Sequence, residues 1–331
     1  MIEPFFFILK YLYYHIRFII SQTAILVGGQ AVIEGVMMRV PGAYATAVRD
    51  NKNIIHIKRI EFNSISEKYT LLKKPILRGI INLFESLRIG YSTLQWSADI
   101  IIPEEKNETN KFLDFFMTCI SITLALSLFF IAPIGLTTWL FDKDQNPFSF
   151  NLISGLFRIS FFLIYLILIS FMKDIKRLFQ YHGAEHKTVY NFESGKDLTV
   201  NNAQSFPTQH PRCGTSFLFI IMIVAIISFA ILDSIAIFYL GELKIWMRLI
   251  LHIPFIPFVA SIGYEVLKLT AKHNNNIIFK LLSKPGLWLQ NITTKQPDNQ
   301  QVEVALKALT NAFGNDIINY TGKKFTAQAI E

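Results

Sequence analysis

Between Phe112 and Leu269 the chain holds four apolar runs, each long enough to cross the hydrocarbon core of a bilayer, which takes about 20 helical residues. They are Phe112 to Phe141, Phe150 to Met172, Phe217 to Leu240 and Trp246 to Leu269. Pro133 and Gly135 lie near the end of the first, and Pro254 and Pro257 interrupt the fourth. Such breaks are tolerated in a helix bundle, where neighbours satisfy the freed backbone groups. Composition agrees: 52% of residues are hydrophobic and 17% charged, against roughly 25% charged in soluble domains. The expected fold is an α+β membrane protein. It has about four transmembrane helices, a cytoplasmic β-containing domain and a C-terminal amphipathic helix.

Lys and Arg set the orientation of such a chain, because they collect on the cytoplasmic side. The segment before the first run carries 14 of them. The loop between runs two and three holds Lys173, Lys176, Arg177, Lys187, Lys196 and Arg212, and a further group follows the fourth run from Lys272 to Lys324. The other two connections each hold one, Lys143 and Lys244. Both termini and the central loop are therefore expected in the cytoplasm. The excess of positive charge, +8 overall, follows from this topology and calls for no nucleic-acid partner. The lipid bilayer is the partner it implies.

The segments divide accordingly. Residues 1–20 form an interfacial amphipathic helix, with a fifth span as the alternative. Their start, MIEPFFFILK, lacks the basic region of a secretory signal. Residues 21–111 hold a β-rich segment and a helix, 112–172 the first two spans, 173–216 a polar loop, 217–269 the last two spans, and 270–331 a cytoplasmic tail. In the β-rich segment AILVGGQAVIEGVMM reads as strand, and AYATAVRD, NKN and IIHIKRIEF as a hairpin. Pro75 to Ile101 reads as an interfacial or bundle-side helix, with Pro75 in its first turn. PGLWLQNITTKQPD is irregular. Asp298 then caps a helix with Gln301 three residues on, and Val302, Ala305, Leu306 and Leu309 form its apolar stripe. Two cysteines, Cys119 and Cys213, make no disulfide framework. Glycosylation sequons at Asn107, Asn291 and Asn319 fall on the cytoplasmic side and are discounted.

Three ionisable residues interrupt the apolar runs: Arg158, Asp233 and His252. The topology puts all three in the outer half of the membrane. A lone charge at mid-membrane costs about 2.5–3.5 kcal/mol on insertion scales, so an Arg158–Asp233 pair is expected, either locking the bundle or lining a pathway.

The polar loop carries the candidate chemistry. His182, Glu185 and His186 form H-x-x-E-H on a helix that continues from the second run toward Gly195. Positions i and i+4 share a helix face, so the two imidazoles can grip one divalent cation, zinc first among them, with Glu185 beside them as general base. A third ligand must come from elsewhere, since Glu193 lies roughly 10 Å along the axis. His210 and Cys213, in HPRC, are the nearest candidates; Glu265 and Glu34 are remoter ones. Glu34, alone among apolar neighbours, is either a structural strand-end carboxylate or a catalytic, substrate-orienting group.

GGQAVIEGVMMR (28–39), RGIINLFESLRIG (78–90), YHGAEHKTV (181–189), HPRCGTSF (210–217) and PGLWLQNITTKQPDNQQVEVAL (285–306) together resemble the YqhQ-like family of bacterial multi-pass membrane proteins. That family is of unknown function and described as one of predicted metal-dependent enzymes. The resemblance implies a bacterial plasma-membrane protein but no substrate. Two functional readings follow. One is a metal-dependent membrane enzyme, such as a hydrolase, acting at the cytoplasmic face on a membrane or cytosolic substrate. The other is a non-enzymatic scaffold, regulator or transporter subunit with a structural histidine cluster.

Overall fold

A computed structural model describes residues 27–102, 111–141, 146–211, 213–272 and 277–321. The helix expected over residues 1–20 lies outside them. Among the described residues the fold is mostly helical, with one small antiparallel sheet and four helices long and apolar enough to cross a membrane.

The sheet is a meander in the order β1 (Gly28–Val32), β2 (Gly35–Val40), β3 (Ala43–Arg49), β4 (Ile55–Glu61). Residues 28–39 thus form a hairpin of their own, reversed at Ile33–Glu34, where Glu34 takes φ 53°. Strand alternation sorts the side chains. Val36, Met38, Val40, Ala45 and Ala47 enter one core cluster, while Met37 and Tyr44 pack on the other face with Ile89.

The first apolar helix is built from α2 (Lys111–Leu126) and α3 (Ala132–Leu140). A wider π turn at Ser127–Ile131 joins them. Pro133 has no N–H to donate back along the helix, and the ladder widens ahead of it. α4 (Pro147–Ser170) is the second, α6 (Gly214–Leu240) the third and α7 (Ile245–Lys272) the fourth. α6 packs on α4 and α7.

Between the second and third comes α5 (Lys173–Ser194), which a break at Phe171–Met172 separates from α4. It ends at Gly195, whose φ of 74° is the left-handed stop that glycine accepts most readily. α5 lies against β1 and against α9 (Asn299–Phe313), which covers β2 and β3. Asp298 and Gln301 form the expected capping box, and Val302, Ala305, Leu306 and Leu309 are buried.

Two helices differ from expectation. α1 (Leu77–Ile101) starts two residues after Pro75 because Ile76 takes φ 74°, an unusual conformation for a β-branched residue. Its carbonyl there accepts a hydrogen bond from Ser261 Oγ of α7 at 2.5 Å. α8 (Ile277–Thr293) includes most of the PGLWLQNITTKQPD stretch expected to be irregular. Packing on α6 and α4 holds the helix through Pro285, as tertiary contacts override local propensity.

Candidate metal centre

His182 and His186 lie one turn apart on α5, their ring centroids 4.5 Å apart. Cys213 is the N-cap of α6, and its sulfur accepts the Thr215 N–H at 3.4 Å. Among the described residues, His182, His186 and Cys213 offer three ligand atoms that all lie within 4.8 Å of one another.

Backbone carbonyls set the tautomer of both imidazoles. His182 Nδ1 lies 2.8 Å from Thr293 O, and His186 Nδ1 2.5 Å from Thr208 O. A carbonyl only accepts, so each Nδ1 carries the hydrogen and each Nε2 of the neutral ring carries a lone pair. This is the usual outer support of metal-bound histidine. The Nε2 of His182 faces the Cys213 sulfur at 3.2 Å. The Nε2 of His186 is buried with no hydrogen-bond partner. Glu185 Oε2 lies 3.4 Å from it without making a hydrogen bond to it. Tetrahedral zinc holds N and S donors about 3.6 Å apart, from bond lengths of about 2.1 and 2.3 Å. The donors are therefore near a binding arrangement, and the chemistry of the set, two imidazoles and a thiol, suits zinc.

Each support has a cause in the chain. Buried Lys187 donates to Gln204 O at 2.9 Å and Phe206 O at 2.5 Å. That ties the loop to α5 and brings Thr208 over His186. Burial lowers the Lys187 pKa. Gly183 lets the end of α8 approach, since a Cβ there would meet the Lys295 carbonyl. Gln290, fully buried on α8, receives the His210 N–H at 2.7 Å and donates to the His210 carbonyl at 2.8 Å. It thereby fixes the backbone three residues before Cys213.

The remaining candidates lie elsewhere. His210 stands beside the three donors rather than among them, its ring 5.5 Å from His186 and 4.5 Å from Tyr190. Burial, and secondarily the His186 charge, push its pKa down to about 3. Glu34 is at the far end of β1, in a bidentate pair with Arg177 and 3.2 Å from the Tyr181 hydroxyl. Its carboxylate raises the Arg177 pKa, and burial together with that charge raises the Tyr181 pKa. That engagement ties Glu34, a turn residue, to α5, and it is not among the three donors. Glu265 is likewise engaged elsewhere, since Arg78 holds both its oxygens at 2.8 and 2.5 Å.

In the apolar bundle Asp233 pairs with Arg248, not with Arg158. It also bonds His252 Nε2 at 2.8 Å and Asn151 Nδ2 at 2.7 Å. The Arg158 guanidinium lies instead over the rings of Phe130 and Phe229, at 5.3 and 5.4 Å. Arg248 and His252 stand four residues apart on one face of α7, and together they meet Asp233 across the helix contact.

A cavity of about 340 Å³ adjoins the donors. His182, Glu185, His186 and Cys213 line one side, and β1 (Gly28–Gln30) and α1 (Asn82, Leu83, Ser86, Ile89) the other. These last two walls went unread in the sequence, although polar and small residues recur along α1 at spacings of three and four, the signature of a buried face.

Sequence segments far apart thus converge on one place, and all but β1 fall within residues 74–315, which match the family described as "Protein of unknown function (DUF1385)". The chain is also 33% identical over 316 residues to the "Uncharacterized protein YqhQ" of Bacillus subtilis (strain 168), covering 90% of this chain and 95% of that protein. No solved structure matches the chain. On the family match and the near full-length identity, the chain belongs to the DUF1385, or YqhQ-like, family of proteins of unknown function.

Proposed function

We propose that this protein is a metal-dependent enzyme of the bacterial plasma membrane, of the hydrolase class, with its site at the cytoplasmic face. The observation that carries the reading is the donor set. Three ligand atoms lie within 4.8 Å, with each histidine held through Nδ1 by a backbone carbonyl and one Nε2 left buried and unpartnered. The Lys/Arg distribution supports a topology with sheet, α5 and α9 in the cytoplasm.

His182, His186 and Cys213 would hold a divalent cation, zinc by donor type. Bound there, it supplies Lewis-acid polarisation of a carbonyl or phosphoryl oxygen. Glu185 lines the cavity beside His186 and is placed to take a proton from a group bound there. Gln290 and the Thr208 and Thr293 carbonyls keep the donors oriented. The adjoining cavity favours this over a purely structural site, which closes all four positions with protein ligands.

The test is metal content. The full chain is purified in detergent without a histidine tag, and zinc, iron, manganese, nickel and copper are quantified. Near-stoichiometric metal is expected in the wild type and in Glu185→Gln, and none in His182→Ala/His186→Ala. A folded wild type that takes up no metal on reconstitution would sink the reading. Loss of metal in Glu185→Gln would make Glu185 a ligand rather than a base.

A further inference from the structure

α1 buries polar side chains and exposes large apolar ones, with Ile89 also buried and Arg88, Gln95 and Asp99 also exposed. Arg78, Gly79, Asn82, Glu85, Thr93 and Ser97 are buried. Leu77, Phe84, Leu87, Tyr91 and Leu94 are 38% to 72% exposed. A helix facing water hides its apolar side; this one presents it. α1 is also fastened to the fourth apolar helix, α7, by Arg78–Glu265, by Asn82 Nδ2 to the Tyr264 hydroxyl at 3.2 Å, and by Ser261 to the Ile76 carbonyl. Lys68, Lys73 and Lys74 lie just ahead of it. An apolar face continuous with a span, beside basic residues that anionic lipid attracts, fits the boundary between headgroups and acyl chains.

The inner face of the same helix walls the cavity. The Asn82 side chain reaches it with 7% exposure, and its Oδ1 is buried without a hydrogen-bond partner. An acceptor left so is costly, and a ligand O–H or N–H would relieve it. Around it stand Val27, Leu83, Ile89 and Tyr264. At about 340 Å³ the space holds a headgroup and the start of a chain, not a whole lipid.

Resting on the enzyme reading above, we propose that the substrate is a membrane lipid that enters from the inner leaflet beside α1. Its polar head, carrying a hydroxyl or N–H donor, lies between Asn82 and the three metal donors. The first stretch of its chain lies among Val27, Leu83, Ile89 and Tyr264.

The full chain, loaded with zinc, is placed in nanodiscs of phosphatidylglycerol containing a trace of phosphatidylglycerol with a diazirine in its acyl chain. After irradiation, adducts are mapped by mass spectrometry. Adducts are expected on Val27, Leu83 or Ile89 as well as on Phe84 and Leu87. Gly28→Phe should reduce the cavity adducts several-fold while sparing those on Phe84 and Leu87, because a Cβ at Gly28 meets nothing within 4 Å and a ring can enter the open space. Leu83→Trp is a second filler, should the first fail to fold. Adducts on Phe84 and Leu87 with none in the cavity of zinc-loaded protein would overturn the proposal. Metal content measured on the same samples keeps the two ideas apart. Cavity adducts in protein that takes up no metal would sink the metal centre and leave the lipid site standing. Bound metal without cavity adducts would do the reverse.

Discussion

Replacing Glu265 by Leu removes one partner of a pair in which Arg78 engages both carboxylate oxygens, at 2.5 and 2.8 Å. The two side chains are 7% and 20% exposed. Breaking such a pair leaves a charge desolvated without its counter-charge, which destabilises by about 3–5 kcal/mol. Arg78→Leu should cost about the same for the same reason. The double variant removes both charges, and apolar replacement of a buried pair is often close to neutral. The coupling between the two sites should therefore be large, approaching the sum of the two single effects. The assay is unfolding of the detergent-solubilised chain by SDS, for wild type, both single variants and the double, with zinc stoichiometry measured alongside. All four forms should retain zinc, since Arg78 occupies both Glu265 oxygens. Additive single effects would refute the ion-pair argument, and loss of zinc in the folded Glu265 variant would return Glu265 to the ligand set.

Three further changes probe the supports of the centre and the bundle. Gln290→Leu removes the side chain that binds both the His210 N–H and carbonyl, the carbonyl keeping the Cys213 N–H at 3.3 Å. It should lower zinc affinity 10–100-fold, as loss of outer support does, measured by competition with a chelating dye; an unchanged affinity would show that Cys213 needs no such anchor. Gly183→Ala drives a Cβ into the Lys295 carbonyl, so it should displace Thr293 from His182 and weaken zinc in the same titration, whereas Gly28→Ala, facing open space, should not. Arg248→Leu leaves Asp233 buried with only His252 and Asn151 and should destabilise by about 3–5 kcal/mol, while Arg158→Leu, which breaks no hydrogen bond to Asp233, should cost less. Equal effects in SDS unfolding would restore Arg158 as the partner.

Local patterns carried much of this. The apolar runs showed the four long helices, because helix length and composition are read from contiguous residues. The i, i+4 spacing put His182 and His186 on one face, and Gly195 ended their helix. The capping box at Asp298 and Gln301 is equally local. Partner choice across helices was not legible. Arg158 and Asp233 sit at similar depth, but depth says nothing of rotation about α4, and Arg248 was passed over because it lies near the start of its apolar run. Glu34 and Glu265 looked available because their arginines are remote in sequence, 143 and 187 residues away. α8 was misjudged at Pro285, where packing on α6 outweighs the lost N–H.

The three donors are carried by two helices, His182 and His186 by α5 and Cys213 by the start of α6. His182 and His186 ride on the segment that leaves α4, and Cys213 is the residue from which α6 departs. α4 and α6 also pack along each other, so the gap between sulfur and imidazoles is set by how these two helices lean. A cation held there would act as a clasp across that end of the bundle. Ligand binding to the native state alone stabilises by about 2.7 kcal/mol at a hundred times Kd, and here that increment would fall on the α4–α6 contact. Chelation would then loosen the bundle of apolar helices as well as empty the centre, and anything that splays the two helices would release the ion.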